Sequence, residues 1–390
     1  MDLTYAPGKA RTDNAAKRES PVARGAVVVY AGKAHRPNGH ESVTQHELAK
    51  KLAALKGYDF AGGFDAESRY DCHVYFVPGD TLVALDHAHS LGIHGEQDLF
   101  GGVVPFPFVA TKTITHPLPA ADSRAPDGWN SGFASAVRDV VLPGFSAFTA
   151  EDVHNAGMRL LQDGGAVRLK KASGIGGWGQ TVVKDAGELE AEIASCDVEE
   201  LLRDGLVVEQ NLEHVVTHSV GQVLVGSLLT TYYGLQRLTR NNHGNEVYGG
   251  SSLVIARGGF SELLALDLAP EVRLAITQAR TYHAAAMASY PGMFASRCNY
   301  DIAQGIDGAG RSYSGVLEQS WRIGGASGAE IAALEAFQSD PALRRVCAST
   351  TEIYGENPSV PGDAAIYYQA VDELIGPLTK FSRLEEYANP

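Results

Sequence analysis

Residues 166–183 read Ala166-Val-Arg-Leu-Lys-Lys-Ala-Ser-Gly-Ile-Gly-Gly-Trp-Gly-Gln-Thr-Val-Val183. Val167 and Leu169 alternate with Arg168 and Lys170, Thr181 to Val183 is a second β-prone run, and four glycines lie between them. The pattern predicts strand, flexible loop, strand. Gly174, Gly176 and Gly179 also spell G-x-G-x-x-G, but a dinucleotide site needs a helix directly after the loop, whose amides take the pyrophosphate. Here the next helix opens only at Asp185-Ala-Gly-Glu188, where Asp185 and Glu188 form a capping box. A protein-kinase loop also lies between strands, but its phosphate-binding lysine follows the glycines, whereas Lys170 and Lys171 precede them. Amides without Cβ obstruction plus a lysine charge suit phosphate.

A lysine followed by a glycine hairpin resembles the ATP-grasp superfamily, and in phrasing the chain looks most like a bacterial ATP-grasp-like family of uncharacterised function. The resemblance implies α/β and α+β architecture with a nucleotide held between two α+β subdomains. Lys170 would meet the phosphates under a loop formed by Ser173, Gly174, Gly176, Gly177 and Gly179. A first nucleotide lysine usually precedes this loop by a few dozen residues, and Lys112 in Ala-Thr-Lys-Thr-Ile-Thr-His is its best match. After the loop, Gly205-Leu-Val-Val-Glu-Gln-Asn-Leu212 matches the apolar strand and acidic hinge whose backbone pairs with adenine, with Glu209, Gln210 and Leu212 at the site. Many relatives carry a ribose-binding glutamate about seven residues further on. Val216 and Thr217 stand there, which leaves Glu213 as the substitute.

The C-terminal third carries Ser296-Arg-Cys-Asn-Tyr-Asp-Ile-Ala-Gln-Gly305, a turn at Asp307-Gly-Ala-Gly310, and Gly315-Val-Leu-Glu-Gln-Ser-Trp-Arg-Ile-Gly-Gly325. A hairpin centred on Gly308 to Arg311 sets 301 opposite 318, 299 opposite 320 and 297 opposite 322. Alternation then places Arg297, Asn299, Asp301, Glu318, Ser320 and Arg322 on one face. Opposed carboxylates repel unless a cation lies between them, and oxygen ligands suit Mg²⁺. The segment resembles the ATP-grasp metal hairpin, with Asp301 as first carboxylate, Glu318 as the bridging one, and Ser320 and Arg322 in the E-x-N-x-R pattern. Ser320 departs from the usual asparagine, which puts the second metal and turnover in question.

Upstream, Gly25-Ala-Val-Val-Val-Tyr-Ala31 predicts a strand buried on both faces, followed by the loop Gly32–His40 and a helix from about Ser42 to Lys56. His73–Val77 predicts another strand. The loop ends the first strand, where open α/β sheets bind ligands, and carries Lys33, His35, Arg36 and His40. The expected layout is a loose tail over 1–24, an N-terminal open α/β (pre-ATP-grasp) domain over 25–115, a small subdomain over 116–205 and a large one over 206–390. The stretch Gln236–Gly250 reads as a donor-rich loop whose Arg237 and Arg240 either hold the acceptor or the γ-phosphate, or simply form a polar turn. Ser327 to Phe337 reads as a helix, Pro341 to Ala348 suggests another, and the tail from there to Pro390 is unassigned.

The chain has 390 residues, 44% hydrophobic, and a formal net charge of −14, which argues against a nucleic-acid partner. Four scattered cysteines without a C-x-x-C pair indicate neither disulfides nor zinc, and a reducing cytoplasm fits best. The 13 histidines lack carboxylate or cysteine partners at metal spacing and read as hydrogen-bonded or surface groups. No apolar run reaches the ~18 residues of a membrane span. The resemblance implies an ATP- and Mg²⁺-dependent ligase with small-molecule carboxylate and amine substrates, acting through an acylphosphate. Lys170 and Arg322 would neutralise charge, and Arg297 and Arg240 complete the candidate catalytic set. A nucleotide-binding regulatory protein without turnover and a biotin-carboxylase-like enzyme remain alternatives, and a homodimer is left open.

Overall fold

A computed structural model describes residues 25–32, 36, 38–163, 165–172, 174 and 179–385. The strand Gly25–Tyr30 is central in a parallel three-stranded sheet, between Asp59–Gly63 and His73–Pro78. Its all-apolar sequence follows from that place. Val27 and Val29 pack with Leu48 and Leu52 of the helix His40–Lys56, while Val28 faces Phe76, Leu99 and Val103. The helix stops at Gly57, whose φ of 65° puts the chain in the left-handed region that glycine adopts without strain. The edge strand Asp59–Gly63 was not expected, because Asp-Phe-Ala-Gly-Gly has no β-branched residue.

The second unit is an antiparallel sheet in the order Gly144–Ala147, Leu206–Gln210, Val167–Lys171, Gln180–Val183. Leu206–Gln210 hydrogen-bonds here, so this sheet extends past the boundary expected at residue 205. The helices Ala150–Gln162 and Ala186–Ser195 cover it, burying Val153, Ala156, Leu160 and Leu189 against Val167, Leu169, Val183 and Val208. Thr149 caps the first helix at the Asp152 amide, 3.1 Å away. Asp185 caps the second at the Glu188 amide, and the Glu188 carboxylate reaches back to the Lys184 amide, one residue before the cap.

The third unit is an eight-stranded sheet ordered 312–320, 297–306, 213–225, 228–240, 246–257, 345–354, 376–385, 365–372. The helix Pro270–Ser289 covers one face, packing Ile276, Ala279 and Tyr282 with Val220, Tyr300 and Val316. The helix Ser327–Ser339 covers the other, packing Ile331, Leu334 and Phe337 with Tyr232, Leu253 and Ile255, and it also meets the first-domain helix through Lys51 to Glu335 at 3.0 Å. Two expectations change here. The stretch 236–250 is not a long loop: strands Leu228–Arg240 and Glu246–Arg257 run through it and only 241–245 turns. A two-stranded ribbon extending past its sheet exposes both faces, so its polar composition does not mark a loop. The C-terminal segment supplies three strands of this same sheet, and the helix expected over Pro341–Ala348 is instead a turn leading into the strand Arg345–Tyr354, whose neighbours on both sides pair with it. No helix among the described residues is long and apolar enough to cross a membrane.

Candidate active site

The small sheet brings Lys170 and Glu209 onto one face, because Arg168 lies opposite Glu209 and Lys170 is two residues further along. The Lys170 ammonium bonds to Glu209 Oε1, and His116 Nε2 lies 3.3 Å from Oε2. All three groups are buried. Burial would raise the Glu209 carboxyl, but the Lys170 charge and the His116 contact overcome it and hold the pKa down to about 2. Glu209 therefore gives its carboxylate to Lys170, while its backbone lies in a strand paired on both sides, opposite Gly144 and Arg168. Gln210 is tied to the carboxylate-hairpin turn through Asp307 at 3.1 Å. Leu212 packs with Leu142 and Ala303, against Leu317, in a small apolar cluster. Glu213 opens its strand exposed to solvent.

Lys112 lies in a short 3₁₀ turn, Lys112–Ile114, capped by Thr111. Its buried ammonium sits 2.6 Å from Glu318 Oε2 and 2.7 Å from the carbonyl of Gly174. Glycine hairpin and carboxylate hairpin thus meet at one nitrogen. Gly179 closes the loop at φ 72°. Ser173, Gly176 and Gly177, three of the expected phosphate-binding positions, lie outside the described residues, as do Lys33 and His35.

In the carboxylate hairpin Asp301 stands opposite Glu318 and Asn299 opposite Ser320, as the spacing predicts. The route differs. Near the turn the register is Ile306 to Ser312 and Ile302 to Val316, and Leu317 is an extra residue that shifts the pairing by one. Without this bulge Glu318 would face Tyr300 on the buried side of the sheet. Asp301 receives hydrogen bonds from Ser219 Oγ and Asn299 Nδ2, each at 2.9 Å. Burial and the facing charge of Glu318 nevertheless push its carboxyl above the ordinary aspartate range. The two facing carboxylates offer oxygen ligands that fit a hard divalent cation. Among the described residues no cluster of three His, Cys, Asp or Glu does so.

The arginines separate. Arg322 donates to the Ile323 carbonyl at 2.9 Å, and burial, together with the nearby Arg297 charge, lowers its pKa, leaving a desolvated guanidinium suited to an anion. Arg297 is fully buried and its guanidinium is committed to Glu330 at 2.7 Å, with Nη1 donating to the Arg322 carbonyl at 2.6 Å. It supports the Arg322 backbone instead of facing an open site. Arg240 is exposed near the ribbon tip and donates to the Gly244 carbonyl at 2.9 Å, and Arg237 holds Thr350. Sequence reasoning missed His116, Tyr232 and Glu330. His116 follows Lys112 by four residues and carried a faint signal; Tyr232 and Glu330 carried none, since apolar stretches surround them.

Residues 27–382 match the profile of a family described as "Protein of unknown function (DUF3182)". No curated protein matches the sequence. Among solved structures, the biotin carboxylase domain of Hydrogenobacter thermophilus 2-oxoglutarate carboxylase, a dimer with MgADP, ADP and bicarbonate, aligns at 14% identity. Its TM-score is 0.50, over 93% of this chain and 86% of that one. Carboxyaminoimidazole ribonucleotide synthase from Aspergillus clavatus, solved with ATP, aligns at 12% identity with TM-score 0.50, over 93% and 94%.

Proposed function

This chain belongs to the DUF3182 family and has the ATP-grasp fold, and on that premise we propose that it is an ATP-dependent ligase joining a small carboxylate to an amine through an acylphosphate. The observation that carries the reading is Lys112, which joins the glycine hairpin at Gly174 to the carboxylate hairpin at Glu318. A nucleotide would lie where these parts converge, with adenine against Leu142, Leu212 and Leu317 and its phosphates near Lys112 and Lys170. Asp301 and Glu318 would hold Mg²⁺, which supplies charge neutralisation on the phosphates when bound. Arg322 would orient the substrate carboxylate and the transferring phosphoryl group, and Arg297 would keep Arg322 in place. Arg240, tied to its own turn, stands outside this set. The ligands of the two like-folded structures, MgADP with bicarbonate and ATP, support the nucleotide part of the reading.

The test is ADP release from MgATP against pools of carboxylates, with and without amines. Release that requires one acid, and a hydroxamate formed when hydroxylamine replaces the amine, is the expected result. ADP release indifferent to every acid and amine would overturn the ligase. Ser320, at the position where the resemblance expects asparagine, favours one rival: a protein that binds MgATP without turning it over. Nucleotide binding with no ADP release under any condition would select it.

A further inference from the structure

Ser320 is poorly placed to complete a metal shell, because its hydroxyl oxygen already faces Arg297 Nη1 at 3.4 Å. Directly across the hairpin stands Asn299. Its amide is in a hydrogen-bond conflict. The Tyr232 hydroxyl lies 2.6 Å from Glu330 Oε1 and 2.9 Å from Asn299 Oδ1, and a phenol has only one proton to give. Glu330 is fully buried, ion-paired with Arg297 and at the shorter distance, so the charged acceptor takes the proton. The Asn299 oxygen then faces the phenol oxygen with no hydrogen between them. A half-turn of the amide, which exchanges two ends of nearly equal shape, removes the conflict by letting Nδ2 donate to Tyr232.

The same half-turn sets the amide oxygen where Nδ2 now stands, 2.9 Å from Asp301 Oδ1. Asp301 keeps its donor from Ser219. Two acceptors would then converge, a contact relieved by a proton on Asp301 or by a cation, and with the Glu318 carboxylate opposite Asp301 a divalent cation serves all three groups. Ligand bonds of about 2.1 Å at right angles, as in octahedral Mg²⁺, place neighbouring oxygens about 3.0 Å apart. We propose that Asn299 is the third protein ligand of the divalent cation held by Asp301 and Glu318, and that Ser320 is not a ligand. The amide oxygen missing from one strand of the hairpin is supplied from the other. This rests on the magnesium reading of the Asp301–Glu318 pair.

The experiment is calorimetric titration of the full chain with ADP in excess Mg²⁺ and again in EDTA, the ratio of the two affinities being the metal-dependent gain. Ser320→Ala should keep the gain of the parent protein. Asn299→Ala should lose at least tenfold of it, and Asn299→Asp, which retains an oxygen but not the amide donor, should restore most of it. Equal gain in Asn299→Ala and the parent overturns the assignment. So does failure of Asn299→Asp to exceed Asn299→Ala, since the residue would then act through its N–H on Asp301. If Asn299→Ala does not fold, Ser320→Ala decides alone: retained gain supports the proposal and a tenfold loss overturns it. No gain in the parent protein would instead remove the magnesium site itself.

Discussion

Lys170–Glu209 and Lys112–Glu318 are both lysine–carboxylate pairs beside the glycine hairpin, and they differ in the water they keep. In the first, both side chains are at most 5% exposed; in the second, Lys112 is 4% exposed but Glu318 is 36% exposed. A pair sealed from water is costly to form and costlier to break, because a lone charge is left buried. One end of the other pair is solvated, so Glu318 can part from its lysine without itself becoming a buried lone charge. The first is built into the small subdomain. The second spans two units that the sequence keeps far apart.

That contrast breaks first on Glu209→Gln, which strands the buried Lys170 and should cost about 3–5 kcal/mol in denaturant unfolding. Glu318→Gln should cost less, about 1–3 kcal/mol, because the buried Lys112 loses a charged partner but keeps the Gly174 carbonyl. Equal losses would mean that the two pairs do not differ as described. Lys170→Ala should also destabilise the chain, by taking the lysine charge from the buried Glu209 and leaving it the His116 contact, and so cannot serve as a clean probe of nucleotide binding.

Acid sharpens the comparison. With a folded pKa of about 2 against an ordinary 4.5, Glu209 contributes stability that is fully present above the unfolded value and lost as pH falls from about 4.5 through 2. The depression corresponds to about 3 kcal/mol. Unfolding free energies measured across that window should fall less steeply in Glu209→Gln than in the parent, and parallel curves would remove the ion pair from the stability argument.

Ligand binding should discriminate in the opposite sense. At a hundredfold excess over its dissociation constant MgATP should stabilise the parent by ~2.7 kcal/mol, seen as a rise in Tm. Glu318→Gln should lose the magnesium-dependent part of that rise while keeping its fold. A full rise in this variant would detach Glu318 from the metal. The smallest effect belongs to Arg240→Ala, within about 0.5 kcal/mol in stability and without change in nucleotide binding. A clear loss of ADP release there would return Arg240 to the catalytic set.

Much of this was legible in the chain itself. The strand at Gly25–Tyr30, the capped helix after Asp185, the glycine hairpin and the opposition of Asp301 to Glu318 all follow from patterns within a few residues. The hairpin shows where such reading stops. Turn residues suggested a centre at 308–311, whereas the turn closes from the Asp307 amide to the Arg311 carbonyl, and the bulge at Leu317 restores the pairing. Two offsets cancel, and neither is visible without the neighbouring strand.

The amino-acid sequence by itself determined the local elements, the order of lysine, glycine loop, hinge and carboxylate hairpin, and hence the fold, because periodicity and turn chemistry act over short distances. Only the tertiary structure decided which lysine meets which carboxylate, that Arg297 is spent on Glu330 while Arg322 is not, and that one phenol proton of Tyr232 is contested by Glu330 and Asn299. Those outcomes depend on distances between segments brought together by packing, where a shift of one residue in register reverses the face a side chain occupies.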